Sequence, residues 1–364
     1  MTEFTVAVLP GDGVGPEVTT EAVRVLLATG ELYGYRIATT EYPIGAAAVA
    51  QLGEALPART RDAVRDAHAV LLGAVGDPRL AGASGARSPE GGLLALRKLL
   101  DVYANLRPVS VYPQLHHASP LRPERLHDVD LLIVRELTGG LYYGEPRGRD
   151  EQGAVNTMRY SIPEIERVAR VAFDAAQVRK GKVTSVDKAN VLEVSQLWRE
   201  TTTRIGAEYR DVDLEHLYVD FAAMRLVANP ASFDVLLTEN LFGDILSDEA
   251  AVLAGSLGLL PSGSIGDGPG LFEPVHGSAP DIAGKGVANP IGAIGSAAML
   301  LRYGLDLPEA ADTIEQAIAA VLQAGARTAD IALPGETPWG TREMGEEIAR
   351  QVFARRSLQP AAGR

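Results

Sequence analysis

Asp244 and Asp248 stand four residues apart in TENLFGDILSDEA (238–250), among the apolar Leu241, Phe242, Ile245 and Leu246. Residues at that spacing share one face of a helix, with Cβ atoms about 5–6 Å apart. Two like charges there repel unless something positive lies between them: an arginine, a lysine, solvent or a metal ion. Arg97 and Arg107 lie in LRKLLDVYANLRP, and Arg135 closes the apolar run LLIV. Arginine offers a planar fork that holds a carboxylate by two hydrogen bonds. Most arginines are surface ion-pair partners of small energetic weight. Arg135 differs, because a charge ending an apolar run needs a partner or a ligand. Lys188 in VTSVDKAN and Asp220 in YVDFAAM also sit where apolar strands end. A partly desolvated lysine can act as a base; it can equally just leave the sheet into water. Tyr142 and Tyr143 in GGLYYGEPRG leave a similar choice between chemistry and an aromatic strand pair.

Short apolar runs must position these groups. Buried strands are expected over 4–10, 69–76, 131–137, 182–188 and 233–240. Pro16 suits the first turn of a helix reaching Val25. Further helices fit 93–101, 163–179, 241–257, 291–303, 308–324 and 341–354. Alternating strands and helices with continuously apolar strands predict an α/β fold with a mainly parallel sheet. The ends of such strands are where open α/β sheets build their sites. Two glycine-rich stretches, 73–92 and 261–292, read as long loops, either functional or disordered. The C-terminal RRSLQPAAGR (355–364) is expected to fray.

With 364 residues, 46% of them hydrophobic, the chain can build a large core, and its length suggests about two domains. Forty-seven acidic against 34 basic residues give a net charge of −13, which opposes nucleic acid and anionic membranes as partners. The absence of cysteine excludes disulfides, thiolate nucleophiles and cysteine-based zinc sites. The N-terminus lacks a basic, then apolar, leader pattern, and no run approaches the ~18 apolar residues of a spanning helix. A cytoplasmic globule is expected.

LPGDGVGPEV (9–18) invites a dinucleotide-binding reading. Its glycines run G-x-G-x-G-P rather than G-x-G-x-x-G, and no acidic residue closes a second strand ~20 residues on. A tight strand-to-helix turn is the better expectation.

Five stretches together resemble the signatures of the β-decarboxylating dehydrogenases, the isocitrate/isopropylmalate dehydrogenase family. They are PEGGLLALRKLLDVYANLRP, IVRELTGGLYYGEPRG, SVDKANVLEV, TENLFGDILSDEA and FEPVHGSAPDIAGKGVANP. The resemblance spans nearly the whole chain. It implies a two-domain fold with a non-Rossmann nucleotide site. One domain would hold residues 1–102 and 255–364, and 103–254 would form a central domain with the dimer interface and an arm. It further implies that Asp244 and Asp248 hold Mg²⁺ or Mn²⁺, with Asp220 of a partner subunit as third carboxylate. Such ions take oxygen ligands and keep water or substrate in other positions. Arg97, Arg107 and Arg135 would clamp a dicarboxylate. Lys188, also from the partner, would accept a proton from the C2 hydroxyl, and Tyr142 would protonate C3 after CO₂ leaves. A homodimer with shared active sites follows.

The same resemblance places NAD on 273–289, through Glu273, His276, Gly277, Ser278, Ala279, Asp281, Ile282 and Asn289, with Glu90 and Asn190 near the nicotinamide. A carboxylate at Asp281 would accept from the ribose hydroxyls and repel a 2′-phosphate, favouring NAD over NADP. Leu93, Leu94 and Val191 would suit an isopropyl group, because a third carboxylate buried against leucine is costly; leucines at such spacing also commonly serve a helix core. The implied activity is oxidative decarboxylation of 3-isopropylmalate, in leucine biosynthesis. Homoisocitrate, isocitrate, tartrate or malate as substrate, and a non-catalytic regulatory subunit, are the competing readings. Phe221 departs from the family, which usually carries a small residue there.

Overall fold

Runs such as AVLLGA and LLIV can hide every side chain only in strands covered on both faces, and the structure uses them so. The computed structural model describes residues 2–354; the stretch expected to fray, 355–364, lies outside them. In chain order the elements begin with β1 (Glu3–Gly11), α1 (Gly15–Tyr33), β2 (Arg36–Glu41), α2 (Gly45–Leu52), α3 (Ala58–Asp66), β3 (Ala69–Ala74) and α4 (Pro89–Leu99). There follow β4 (Val102–Ser110), β5 (Asp130–Glu136), a small hairpin of β6 (Gly148–Arg149) and β7 (Ala154–Val155), α5 (Ile162–Gln177) and β8 (Lys182–Asp187). Next come α6 (Glu193–Gly206), β9 (Asp213–Tyr218), α7 (Val219–Ala228), β10 (Val235–Thr238) and α8 (Asn240–Ala254). The chain closes with β11 (Pro261–Gly266), β12 (Gly270–Pro274), α9 (Ile291–Met299), α10 (Pro308–Gln323) and α11 (Thr341–Ala354).

The chain divides into two compact units, one running up to Val102 and resuming at Ser256, the other Tyr103–Gly255. In the first, strands lie in the order β2-β1-β3-β12-β11, all parallel except β11 against β12. Its core packs Val8, Leu9, Leu71, Leu72 and Phe272 with Val25 and Leu26 of α1 and Ile294 of α9. In the second the order is β4-β5-β10-β8-β9, with β4 antiparallel to β5 and the rest parallel. Ile133, Val186 and Leu236 are buried there, with Phe173 of α5 and Trp198 of α6. No described helix is long and apolar enough to cross a membrane.

Several expectations need correction. The stretch 261–292 is not one loop. β11 and β12 form a hairpin in it, and Gly263 and Gly270 lie against the Phe272 ring, where small residues make room for a large one. The helix expected from Leu93 begins at Pro89, because the Ser88 hydroxyl accepts from the Gly91 N–H at 3.0 Å. That expected to reach Leu257 ends at Ala254, where Gly255 adopts the left-handed cap conformation. The helix over 291–303 gives way after Met299 to a π-turn over Leu300–Gly304. Asp220 is not a strand end; it lies in the first turn of α7.

Candidate active site

Register in the second unit brings the chemistry together. Arg135 pairs with Thr238 across β5 and β10, and with Asn105 across β5 and β4. Its side chain is buried, which sequence predicted must have a cause. The cause lies on α8. Asn240 Oδ1 accepts from Arg135 Nη2 at 2.8 Å and Nε at 3.1 Å, and Arg135 Nη1 donates to Asp244 Oδ1. The other oxygen of Asp244 accepts from the Tyr142 hydroxyl at 2.7 Å. The Arg135 guanidinium also lies 5.9 Å from the Tyr142 ring centroid. Arg107 reaches the same helix, donating to Ser247 Oγ at 2.6 Å and lying 3.5 Å from Asp248. The positive charge required between the two aspartates is thus supplied in this structure by two arginines.

Charge follows from this geometry. Burial alone would raise the Asp244 carboxyl, but the Arg135 charge, the Tyr142 hydrogen bond and Arg107 outweigh it and hold it below the usual carboxylate range. Burial, then the adjacent Asp244, push the Tyr142 hydroxyl up to about 12, so it keeps its proton at neutral pH. Lys188 and Asp220 form a separate pair, with Lys188 Nζ 2.7 Å from Asp220 Oδ1. That bond draws the Asp220 carboxyl below its ordinary value. Lys188 directly follows β8 and lies 5.9 Å from the Tyr218 ring centroid. Asn190 and Val191 follow it; both are exposed, Val191 at 67%.

As metal ligands, Asp244 and Asp248 fit in kind: hard oxygen donors one helical turn apart, with the Asp248 side chain 72% exposed. They fall short in number. Among the described residues of one chain, no group of three His, Cys, Asp or Glu side chains gathers as a metal site, so Asp220 does not join them within the chain.

The first unit holds the other candidates. On α4, Leu96 turns into the core while Leu94 is 40% exposed and Leu93 half-buried, so the core reading fails for Leu94. Glu90 is exposed in the first turn of the same helix. Arg97 Nη2 donates to Glu273 Oε1 at 2.8 Å, which joins a residue expected on the substrate to one expected on the cofactor. After β12 the chain runs through His276, Gly277, Ser278, Ala279, Asp281, Ile282 and Asn289 to α9. Ala279 takes a positive φ of 39°. His276 Nδ1 contacts the Gly277 carbonyl at 2.9 Å, and burial lowers its pKa, keeping the ring neutral. Its buried Nε2 has no hydrogen-bond partner among the described residues, which fits a nucleotide supplying one. Asn289 uses its side chain locally, donating to Asp330 at 3.0 Å and accepting from the Ile291 N–H.

A family model described as isocitrate/isopropylmalate dehydrogenase matches residues 5–348. The chain belongs to that family. The 3-isopropylmalate dehydrogenase of Salinibacter ruber is 58% identical over 349 residues, covering 96% of this chain and 95% of that protein. The 3-isopropylmalate dehydrogenase of Halalkalibacterium halodurans is 53% identical, covering 97% of this chain and 98% of its own. Among solved structures, the isocitrate dehydrogenase of Methylococcus capsulatus superposes with a TM-score of 0.85 at 38% identity, covering 97% of this chain and 99% of that one. As in the rest of this isocitrate/isopropylmalate dehydrogenase family, the activity class is decarboxylating dehydrogenase. Sequence reasoning passed over Asn240 and Ser247, which hold the two arginines on α8. The signal for Asn240 was its place just before the apolar run Leu241–Phe242, where an amide is easily taken for a simple helix start.

Proposed function

We propose that this chain oxidises and decarboxylates 3-isopropylmalate to 4-methyl-2-oxopentanoate and CO₂, reducing NAD, as a step of leucine biosynthesis. The observation that carries this reading is the meeting of Arg135, Tyr142 and Asp244: a buried carboxylate-binding cation, a proton-holding acid and an ionised carboxylate at one point. Arg107 and Arg135, with Arg97 on α4, bind the malate carboxylates. The Lys188 amine accepts the C2 hydroxyl proton through water, and Asp220 then holds the ammonium so formed. Tyr142, which keeps its proton at neutral pH, delivers one to C3 after CO₂ departs. Leu93, Leu94 and Val191 take the isopropyl group; the exposure of Leu94 and Val191 supports this. Isocitrate would bring a third carboxylate against these side chains unpaired.

Asp244 and Asp248 hold the Mg²⁺ or Mn²⁺, and the 273–289 segment, with Glu90 and Asn190, holds NAD. When bound, the two groups supply a hydride acceptor for C2 and a Lewis acid for the negative charge on the enolate oxygen. Asp281 faces the adenosine ribose.

Lys188 and Asp220 act from a second copy of the chain. Their separation as a pair from Asp244 and Asp248 supports this. So does an exposed apolar stripe beside them: Phe221, Met224 and Val227 on α7 with Ile245 and Val252 on α8. The test is NADH formation with Mg²⁺ on 3-isopropylmalate, isocitrate and malate in turn. A strong preference for 3-isopropylmalate, lost with a chelator, is expected. Turnover of isocitrate alone would overturn the apolar pocket.

A further inference from the structure

The turn GDGVGPE (11–17) takes no part in the chemistry above, yet its hydrogen bonds run outward to separate segments. Asp12 is buried and accepts from the N–H groups of Ala46 (2.9 Å), Ala47 (2.8 Å) and Gly76 (2.8 Å). The Val14 N–H donates to the Ser278 carbonyl at 2.8 Å. Glu17, in the first turn of α1, accepts from the Gly286 N–H at 2.9 Å on one oxygen and from the Gly284 N–H on the other. One carboxylate therefore holds two amides of the 281–289 segment.

Its far end is held by buried Ala288 and by Asn289 on Asp330, but among the described residues little else holds the exposed stretch 284–287. Gly284 and Gly286 adopt φ values of 75° and 65°, and a Cβ on either would meet nothing within 4 Å. An open cavity of about 450 Å³ lies alongside, lined by Glu17, Glu21, Gly286, Thr341, Arg342 and Glu346 among others. Side-chain packing is thus absent at the two glycines, and hydrogen bonds fix the backbone. Besides Glu17, the Thr341 N–H donates to the Gly286 carbonyl at 2.9 Å and the Thr341 hydroxyl to that of Ala288 at 2.6 Å. Bonds from an amide to a carboxylate are charge-assisted and roughly twice as strong as neutral ones. A glycine-rich segment released from them regains conformational freedom that a ligand must then remove on binding.

We propose that Glu17 is a positioning residue for the cofactor: its carboxylate fixes the 281–289 segment in the conformation that receives the adenosine half of NAD. The inference rests on the assignment of that segment to NAD. It gives the glycine-rich turn after β1 a role at the nucleotide without any phosphate contact of its own.

Glu17→Gln preserves shape but leaves one acceptor oxygen and turns an NH₂ toward a glycine N–H. The expected result is a KM for NAD raised about tenfold, with kcat at saturating NAD and KM for 3-isopropylmalate within about twofold of the parent. Hydrogen exchange of the 281–289 peptide should quicken in the variant and slow again with NADH. A uniform loss, with both KM values and the thermal midpoint moving together, would show Glu17 to be merely structural and overturn the proposal. Asp281→Lys, measured beside it, separates the two layers. If Asp281→Lys narrows the preference for NAD over NADP while Glu17→Gln leaves the KM for NAD unchanged, the Glu17 role fails alone. If neither variant affects the cofactor, the assignment of the segment to NAD fails and takes the proposal with it.

Discussion

In the proposed function Arg135 is a single residue made ready for an anion. Its aliphatic stem lies against α8 where only a glycine fits: a Cβ on Gly243 would fall 2.6 Å from Arg135 Cγ and 2.3 Å from Thr238 Oγ1. Its guanidinium is then aligned by Asn240. A planar fork pre-aligned in this way loses little freedom on binding a carboxylate. Asn240→Ala should therefore raise the KM for 3-isopropylmalate about tenfold and leave that for NAD unchanged, as steady-state kinetics would show. In the proposed reaction Tyr142 serves a later step. Tyr142→Phe removes the proton held at the 2.7 Å bond to Asp244 and should slow protonation of C3, and so formation of the keto product, by about 10²–10⁴, with oxidation less affected. Rapid-mixing measurements of NADH and of 4-methyl-2-oxopentanoate formation distinguish the steps; loss of oxidation alone would defeat the assignment. These residues were legible as types. Arg135 stood out because a charge ended an apolar run, whereas Asn240 did not, because an asparagine before a helix has an ordinary explanation as a start signal.

Among the elements, those with unbroken apolar runs were readable, and those shaped by pairing were not. β3 and β8 lie within their expected spans, and β5 begins one residue before its own; Val, Leu and Ile dominate β3 and β5, while β8 carries a Val at each of two buried positions. β9, DLEHLY, escaped notice: it lies at the sheet edge, where a half-exposed strand can carry Glu215 and His216. α8 carries an element-scale consequence. Its N-cap is Glu239, which accepts from the Leu241 and Phe242 N–H groups at 3.0 and 2.7 Å and lies 3.4 Å from the Tyr160 hydroxyl. Burial raises its pKa above the ordinary 4.5. The folded chain then keeps a proton that the unfolded chain has released, so stability falls as pH rises from about 4.5 through the raised value. Glu239→Gln loses one acceptor at every pH, a roughly constant cost of about 1 kcal/mol, but removes that slope. Thermal midpoints from pH about 5 to about 8 should show the parent losing its advantage over the variant as pH rises. Parallel curves would mean that Glu239 titrates alike in both states.

At the scale of the whole molecule, the decisive matter is how many chains make one active site. α7 and α8 leave Phe221, Met224, Val227, Ile245 and Val252 exposed, and Asp220 and Asp248 lie on the same two helices. A second copy covering that stripe would bury apolar surface worth about 25 cal/mol per Å² and bring a foreign Lys188–Asp220 pair to each Asp244. The substitution of Phe221 for the small residue expected there adds to the stripe. Met224→Lys and Ile245→Lys together should give a monomer by light scattering, and that monomer should be inactive. Inactivity alone could reflect misfolding, so complementation provides the stronger test. Lys188→Ala and Asp244→Asn should each be inactive alone. When the two are unfolded, mixed in equal amounts and refolded, half the dimers pair one chain of each kind. If the lysine acts across the interface, every mixed dimer holds one intact site and one doubly damaged site, and activity returns to about a quarter of the parent value. If Lys188 serves Asp244 of its own chain, every site in the mixture is damaged and no activity returns.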